Sequence, residues 1–261
     1  MEKSKKGKII TITSTKGGVG KTITTLNLAG LYSSLGLKTL IIDLDIYGGA
    51  IATFVNSNLE RNIFNFIDDY THNRYKQISD YIYSYNDYID VISSVKDPRL
   101  ANKIDFKYIP ILLDTVIYKY DVILLDTNHT LNDISIMALD NSDVILYLLT
   151  NDSFDLKNTR TFVSIIKDAG FKNVYTVLNS SISSKSYYSM YDIRNIIDYN
   201  IDFTFPKTFY IRNIDKYITS SIIPTLDKSI SLNKKMMPLA KFLIQDKEVK
   251  KWKSHSQKFL L

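Results

Sequence analysis

The chain has 261 residues, a length that suits one large α/β domain or two small ones and can bury a sizeable core. It contains no cysteine, which excludes disulfide bonds, iron–sulfur clusters and thiolate metal sites, and its three histidines are too scattered to suggest a metal cluster. The net charge of +6 is concentrated at the two ends: residues 1–8 carry +3 and residues 241–261 carry +4, which leaves the remainder near −1.

Membrane-spanning and secreted classes of protein are not expected. No apolar run approaches the length of a membrane span. The lysine-rich residues 1–8 lead into a predicted strand rather than into the apolar core of a signal peptide. The sequence therefore favours a cytoplasmic protein.

The first predicted strand covers the largely apolar and β-branched residues 9–14. A glycine-rich turn follows, and residues 24–35 have the apolar spacing of a helix. The turn contains Gly17, Gly18 and Gly20. Because glycine has no Cβ, several backbone N–H groups can converge on one oxyanion, and the start of the helix adds the positive end of its dipole. The arrangement predicts a phosphate-binding loop.

Two side chains of this loop are suited to a nucleotide. Lys21 supplies positive charge for the β- and γ-phosphate oxygens, and the Thr22 hydroxyl is placed to ligate Mg²⁺. An ordinary P-loop has a glycine five residues before Gly20, whereas this chain has Thr15 there, followed by a second lysine, Lys16. A glycine turn with solvated lysines is the alternative. Seven consecutive matching positions between a strand and a helix favour the phosphate interpretation.

The loop sequence KGGVGKT resembles the deviant Walker A motif of the ParA/MinD family of P-loop ATPases. The resemblance implies that ATP and Mg²⁺ bind here and that Lys16 reaches across a dimer interface to the nucleotide of the other subunit. It also implies catalytic roles for both lysines. The implied nucleotide contacts are Lys16, Gly17, Gly18, Val19, Gly20, Lys21, Thr22 and Ile23.

Two aspartates follow the second predicted strand, residues 39–43. Ligands of an open parallel sheet lie outside the carboxyl ends of its strands, so Asp43 and Asp45 should face the phosphate loop. The sequence IIDLDI resembles the second-strand motif of the family, which implies that Asp43 helps to hold Mg²⁺ and that Asp45 orients the attacking water. A helix cap is the ordinary alternative for either one alone. Residues 46–49 depart from the Pro-Gln-Gly usual in partition ATPases.

A third carboxylate is predicted at the end of the apolar strand 122–125. The sequence YDVILLDT resembles a Walker B motif, which implies that Asp126 contacts the hydration shell of Mg²⁺. Residues 127–130 should form the loop that senses the γ-phosphate. His129 is better explained as a polar loop residue than as a catalytic base. Between the two motifs the sequence predicts short helical segments in residues 50–88, which carry no recognisable motif.

Three further segments complete the predicted core. Residues 88–93 should form a strand, residues 106–118 a helix, and residues 144–149 a strand that leads into a helix at 155–169. The order of leucines and aspartates from residue 131 to residue 158 is similar to the CpaE/TadZ branch of the family, whose members help to place pilus assembly machinery.

The base of the nucleotide is assigned to the last strands. Asn179 ends a predicted strand at 174–178, and the resemblance implies that its amide contacts adenine; an asparagine that opens a serine-rich loop is the competing interpretation. Residues 203–206 resemble the short strand and proline loop that closes over the base, so Pro206 should shape the backbone there. Residues 230–243 should form the closing helix, with a kink or break at Pro238.

These elements predict a doubly wound, mostly parallel α/β sheet with helices on both faces over residues 1–246. Residues 247–261 form a basic tail, for which a solvated tail is favoured over contact with DNA phosphates or with a membrane surface.

The resemblance implies a slow, partner-stimulated ATPase that closes as an ATP-dependent homodimer and positions cargo, foremost polar or Tad-type pilus assembly machinery. The alternatives are a ParA-type partition ATPase that binds nonspecific DNA, a MinD-like membrane-associated ATPase and a P-loop kinase. The expected location is the cytoplasm, at the cell pole or on the nucleoid.

Overall fold

A computed structural model describes residues 5–182 and 187–245 of the chain. Eight strands, numbered β1 to β8 in chain order, occur in these residues: Lys8–Thr13, Thr39–Asp43, Tyr83–Ser84, Ile89–Ile92, Val122–Asp126, Val144–Leu149, Val174–Asn179 and Phe203–Phe205. They form one sheet in the order β3-β4-β2-β5-β1-β6-β7-β8. All neighbouring pairs are parallel except β3 and β4.

The α-helices of the described residues are numbered α1 to α9: Lys21–Ser34, Ile51–Phe54, Ile63–Thr71, Ile109–Val116, Asp133–Asp140, Ser153–Asp168, Met190–Ile197, Ile214–Ser220 and Leu232–Ile244. Short 3₁₀ segments join several of them: Ile78–Tyr81, Pro98–Lys103, Phe106–Tyr108, Lys207–Phe209 and Pro224–Leu226. No helix of the described residues combines the length and apolarity that crossing a membrane requires.

The sheet is covered on both faces, which confirms the predicted doubly wound architecture. Alternate residues of a strand point to opposite faces. Ile10 belongs to a buried cluster with α1 and α9, whereas its neighbour Ile9 belongs to another with α3, α4 and α5. Strands buried on both faces are consistently apolar, as the run from Val144 to Leu149 shows.

Several predicted elements have different bounds or were missed. The predicted helix 106–118 divides into the 3₁₀ segment Phe106–Tyr108 and α4. Helix α9 continues through Pro238, so of the predicted kink or break the break does not occur. The antiparallel β3 and helix α7 were not predicted. The basic tail 247–261 lies outside the described residues.

The strand order places three loops at one edge of the sheet. β5 lies between β2 and β1, and Asp43 at the end of β2 is in register with Asp126 at the end of β5. The loop that follows β1 connects directly to α1. The carboxyl edge formed by β2, β5 and β1 is therefore where the predicted nucleotide groups meet.

Candidate nucleotide-binding site

The loop between β1 and α1 depends on glycine for its conformation. Gly18 and Gly20 have positive φ angles of 73° and 97°, which side chains rarely tolerate. Gly20 immediately precedes α1, and its carbonyl accepts the first helical hydrogen bond, from the Thr24 N–H at 2.9 Å. A Cβ on Gly20 would lie 2.9 Å from Asn179 Nδ2. The loop therefore has the conformation of a phosphate cradle, with the N-terminus of α1 directed to it.

Lys21 lies inside this loop. Its side chain is buried, and Nζ donates a hydrogen bond to Ser14 Oγ at 3.0 Å. Ser14 Oγ in turn donates to the Lys16 carbonyl at 2.8 Å. Burial lowers the pKa of Lys21, and the negative charges of Asp126 and Asp45 oppose that shift. The ammonium is thus held next to the loop backbone by a partner that a phosphate oxygen can replace.

Of the two strand-end carboxylates, Asp126 lies beside the first turn of α1, and Asp43 is in register with it on the neighbouring strand. Thr22 Oγ1 donates to Asp126 Oδ2 at 2.7 Å, and Thr25 Oγ1 donates to the other oxygen at 3.3 Å. Asp43 accepts from the backbone N–H groups of Asp45 at 3.1 Å and Ile51 at 3.3 Å. Burial raises the pKa of both Asp43 and Asp126, and the proximity of Asp126 raises that of Asp43 further.

These residues fit Mg²⁺. Buried carboxylates and a hydroxyl are the hard oxygen donors that Mg²⁺ prefers, and a divalent cation beside them would offset the cost of burying two negative charges. No group of three or more acidic, histidine or cysteine side chains in the described residues forms a complete metal cage. The small number of protein ligands is typical of Mg²⁺, which usually binds one or two carboxylates together with water and substrate phosphates.

Asp45 is held by the turn that follows it. Its Oδ1 accepts from the Gly48 N–H at 3.1 Å. The adjacent Gly49 is packed tightly, because a Cβ there would lie 2.0 Å from Ser94 Oγ and 2.6 Å from Asp43 Oδ2. Gly48 therefore holds Asp45 through its N–H, and the missing side chain of Gly49 leaves the space that Asp43 and Ser94 occupy. The water-orienting role of Asp45 stays a prediction.

Lys16 forms an ion pair within its own chain. Its Nζ lies 3.5 Å from Asp152 Oδ1, and both side chains are more than a third exposed. Asp152 also caps α6, since it accepts from the N–H groups of Phe154 and Asp155 at 3.1 Å each. The sequence interpretation missed Asp152, although an aspartate between a strand and a predicted helix is a typical capping signal. The reach of Lys16 into a second subunit stays a prediction.

Hydrogen bonds to β6 and α6 support the phosphate loop on the side of the sheet. Thr15, at the position of the ordinary P-loop glycine, has its Oγ1 2.6 Å from the Tyr147 hydroxyl. That hydroxyl also lies 3.1 Å from Thr159 Oγ1. Burial raises the pKa of Tyr147 to about 12, so the phenol keeps its proton and can donate. No local motif identifies Tyr147 as a loop contact, because the bond joins β6 to the loop across the fold.

The loop after β5 is fixed by its own side chains. Thr127 Oγ1 donates to the Ile12 carbonyl at 3.0 Å. Asn128 Oδ1 accepts from the Thr130 N–H at 2.9 Å and from Ser135 Oγ at 3.2 Å. His129 is exposed and faces Gly17, where a Cβ would come within 3.8 Å of its ring. The histidine therefore lies at the phosphate loop, and its role as a base stays a prediction.

Asn179 braces the phosphate loop. Its Nδ2 donates to the Val19 carbonyl at 2.9 Å. Its Oδ1 accepts from both the Ser181 N–H at 3.0 Å and Ser181 Oγ at 2.6 Å. Both polar atoms of the amide are therefore engaged within the protein. Contact with adenine, the role that the resemblance implies, stays a prediction.

A cavity of about 180 Å³ adjoins the loop on the side of β8. Its lining is mostly apolar and includes Ile23, Ile182, Phe205, Phe209, Ile211, Ile214 and Met236. The polar residues Thr24, Asn27, Asn179 and Ser181 line it as well. Pro206 does not line it, but its carbonyl accepts from the Phe209 N–H at 2.9 Å and so turns the chain that brings Phe209 into the wall. An apolar slot beside a phosphate loop can take a nucleobase.

Solved structures share this fold. A ParA family ATPase from Chlorobium tepidum aligns with a TM-score of 0.77 and 16% identity, over 90% of this chain and 98% of that one. The septum site-determining protein MinD from Pyrococcus horikoshii, in complex with Mg-ADP, aligns with a TM-score of 0.75 and 20% identity, over 91% and 96%. A family model described as an AAA domain matches residues 7–183, which is more than half of the chain. The chain belongs to the ParA/MinD family of P-loop ATPases.

Curated relatives match over stretches of different length, and several match over about a fifth of this chain or less and over less than a fifth of their own length. The sporulation initiation inhibitor protein Soj of Bacillus subtilis is 50% identical over 44 residues, which are 17% of this chain and 17% of Soj. An uncharacterised ATP-binding protein of Methanocaldococcus jannaschii is 26% identical over 192 residues, 70% of this chain and 67% of that protein. The assignment to the CpaE/TadZ branch is not confirmed and stays a prediction.

Proposed function

We propose that this chain is a slow ATPase that binds ATP with Mg²⁺, closes into a homodimer and uses hydrolysis to release a positioned cargo. The observation that supports it best is the convergence of a phosphate loop, a buried ammonium and two buried carboxylates at one edge of the sheet. Family membership supports the same activity, because proteins of this family are typically ATPases.

In this proposal the loop residues bind and orient the phosphates. Lys21 exchanges the Ser14 hydroxyl for phosphate oxygens, and the glycine backbone supplies further N–H donors. Thr22, Asp43 and Asp126 would hold Mg²⁺, which neutralises charge on the β- and γ-phosphate oxygens when bound. Asp45, whose Oδ1 is fixed by Gly48, offers its second carboxylate oxygen to orient a water.

The ion pair of Lys16 suits a switch. An exposed ion pair contributes only about 0–1 kcal/mol, so Lys16 can leave Asp152 at little cost. In the proposed dimer the ammonium moves to the nucleotide of the second subunit, where it meets a larger negative charge. Loss of the γ-phosphate removes part of that attraction, and Lys16 returns to Asp152.

The substitution Lys16→Ala tests the dimer switch. We expect ATP affinity within about threefold of the original protein, because Lys21 and the loop backbone remain, and loss of ATP-dependent association. Sedimentation velocity with ATP and Mg²⁺ measures the association, and nucleotide fluorescence measures the affinity. Lys157→Ala, an exposed lysine of α6, is the matched control. Unchanged association of Lys16→Ala would refute the role in trans.

The cargo has two candidates. The sequence pattern between residues 131 and 158 supports polar or pilus assembly machinery. Nonspecific DNA is supported by a different observation, because residues 205–245 contain seven basic and two acidic side chains. All seven basic residues are exposed: Lys207, Arg212, Lys216, Lys228, Lys234, Lys235 and Lys241. The net charge outside the two ends is near −1, but its positive part is unevenly distributed and accumulates on the segment that carries α8 and α9.

Retention on nonspecific duplex DNA at low salt separates the two cargoes. ATP-dependent retention that weakens steeply as salt rises would support the partition function. In that case Arg212→Ala combined with Lys216→Ala should weaken retention, whereas the matched pair Lys157→Ala and Arg160→Ala on α6 should not. No retention with either ATP or ADP would favour polar or pilus machinery, with a protein partner.

A further inference from the structure

His129 is an exposed residue of the loop after β5 whose side chain the proposed chemistry does not use. The residues beside it are held in place. Thr127 Oγ1 donates to the Ile12 carbonyl at 3.0 Å, and the buried Asn128 accepts from the Thr130 N–H at 2.9 Å. The imidazole of His129 makes no hydrogen bond or ion pair with the described residues. The loop therefore fixes the backbone on both sides of an imidazole that is available to a ligand.

The imidazole of His129 lies at the phosphate loop. A Cβ built on Gly17 would lie 3.8 Å from His129 Nδ1 and 3.9 Å from its Cγ. Gly17 is the neighbour of both Lys16 and Gly18, whose φ angle is 73°. Because Gly17 has no side chain, the ring faces the loop backbone directly. A phosphate that accepts from the N–H groups of this loop should therefore come within reach of the ring.

The order of the strands indicates which phosphate this is. The cavity that suits a base adjoins the loop on the side of β8, whereas β5 lies on the opposite side of β1. A nucleotide with its base in that cavity points its last phosphate toward β5. Mg²⁺ would bridge the β- and γ-phosphates beside Thr22 and Asp126, and His129 follows Asp126 by three residues. The γ-phosphate is thus the phosphate that the His129 ring should meet.

We infer that His129 distinguishes ATP from ADP: its imidazole donates a hydrogen bond to a γ-phosphate oxygen of the nucleotide in its own subunit. The inference rests on the proposed binding of ATP and deepens it. An imidazole keeps at least one N–H donor whether it is neutral or charged, and hydrogen bonds to anionic oxygens are stronger than those between neutral groups. ADP has no γ-phosphate, so it gains nothing from this contact.

Equilibrium binding to the full chain with Mg²⁺ tests the inference. The two probes are ADP and adenosine 5′-(β,γ-imido)triphosphate, an ATP analogue that resists hydrolysis. We expect His129→Ala to weaken binding of the triphosphate about 10-fold and to leave binding of ADP unchanged. His129→Gln should restore most of the triphosphate affinity, because its amide keeps an N–H donor although it cannot serve as a base.

His72→Ala is the matched control and should change neither affinity. His72 is also exposed, but it lies at the end of α3, where its Nδ1 is 2.8 Å from the Asp68 carbonyl. The same titrations in the Lys16→Ala chain, which should not associate, separate a contact within one subunit from a contact across a dimer. The selective loss should persist there, and its disappearance would overturn the assignment to the same subunit.

Three results would overturn the inference while leaving the proposed nucleotide binding intact. One is unchanged triphosphate affinity in His129→Ala, and another is an equal loss for both nucleotides, which would make His129 a structural support of the loop. The third is the same selective loss in His129→Gln as in His129→Ala, which would exclude the role as a donor. Failure of the unsubstituted protein to bind either nucleotide would overturn the proposed function itself, and the inference with it.

Discussion

At the phosphate end of the site Thr22, Asp43 and Asp126 are paired within the protein, whereas the cavity at the base end is lined largely by apolar side chains. Thr22 pairs with Asp126, and Asp43 pairs with two backbone N–H groups. The cavity beside them combines apolar side chains with a few polar residues, Thr24, Asn27, Asn179 and Ser181. The two ends therefore recognise a ligand by different physical means.

The difference shows how affinity and selectivity can be divided along one nucleotide. Charges and N–H donors at the phosphate end act on any triphosphate, because every nucleotide carries the same phosphates. The apolar slot accepts any base of suitable shape, so only a polar group within it can distinguish one purine from another. Substitutions at the phosphate end should change binding of all nucleotides alike.

The largest expected effect is that of Lys21→Ala. It removes the ammonium that the loop holds beside Ser14, and we expect nucleotide binding to weaken about 100-fold for ATP and GTP alike. Isothermal titration with both nucleotides measures this. Lys38→Ala is the control, because Lys38 lies against the Tyr120 ring, away from the loop. Weaker binding of ATP with unchanged binding of GTP would contradict the argument that the phosphate end acts on all nucleotides alike.

A smaller effect is expected from Gly49→Ala. The new methyl group would overlap Ser94 Oγ and Asp43 Oδ2, and overpacking of this kind costs about 1–3 kcal/mol of unfolding free energy. Because Asp43 must shift, stabilisation by Mg²⁺ with ATP should also fall, which thermal unfolding with and without Mg²⁺ measures. Gly48→Ala is the matched control, since a Cβ there first meets Asp45 at an ordinary 3.6 Å. Equal effects of the two substitutions would contradict the packing argument.

The smallest effect is expected from Asn179→Ala. This variant tests whether Asn179 supports the phosphate loop or contacts the base. It leaves the buried Val19 carbonyl without its donor, so denaturant unfolding should show a loss of about 1–2 kcal/mol. Nucleotide affinity should fall a few-fold, equally for ATP and for purine riboside 5′-triphosphate, which lacks the 6-amino group, because the loop loses a supporting hydrogen bond and not a base contact. Ser181→Ala, which removes one hydroxyl bonded to the same amide, should cost less. Loss of adenine preference in Asn179→Ala would assign base recognition to Asn179.

Much of the fold could be predicted from hydrophobic pattern. The bounds of β2 and β6 are those predicted, because each is an apolar run that ends at a polar residue. β3 was missed because two residues at a sheet edge carry no periodic signal. Helix α7 was missed because its start lies in a serine-rich stretch; only the structure shows that Ser189 and Asp192 form a capping box there.

By itself, the sequence determined the phosphate loop and the strand-end carboxylates, since these depend on local backbone freedom and on the rule that parallel strands end at a common edge. Only the tertiary structure decided which side chains are paired across the fold. Lys16 forms an ion pair with Asp152, Asn179 donates to the Val19 carbonyl, and the Asn27 carbonyl accepts from Thr225. The physical reason is distance along the chain: residues 27 and 225 come together only when α1 and the final helices pack on the same face of the sheet.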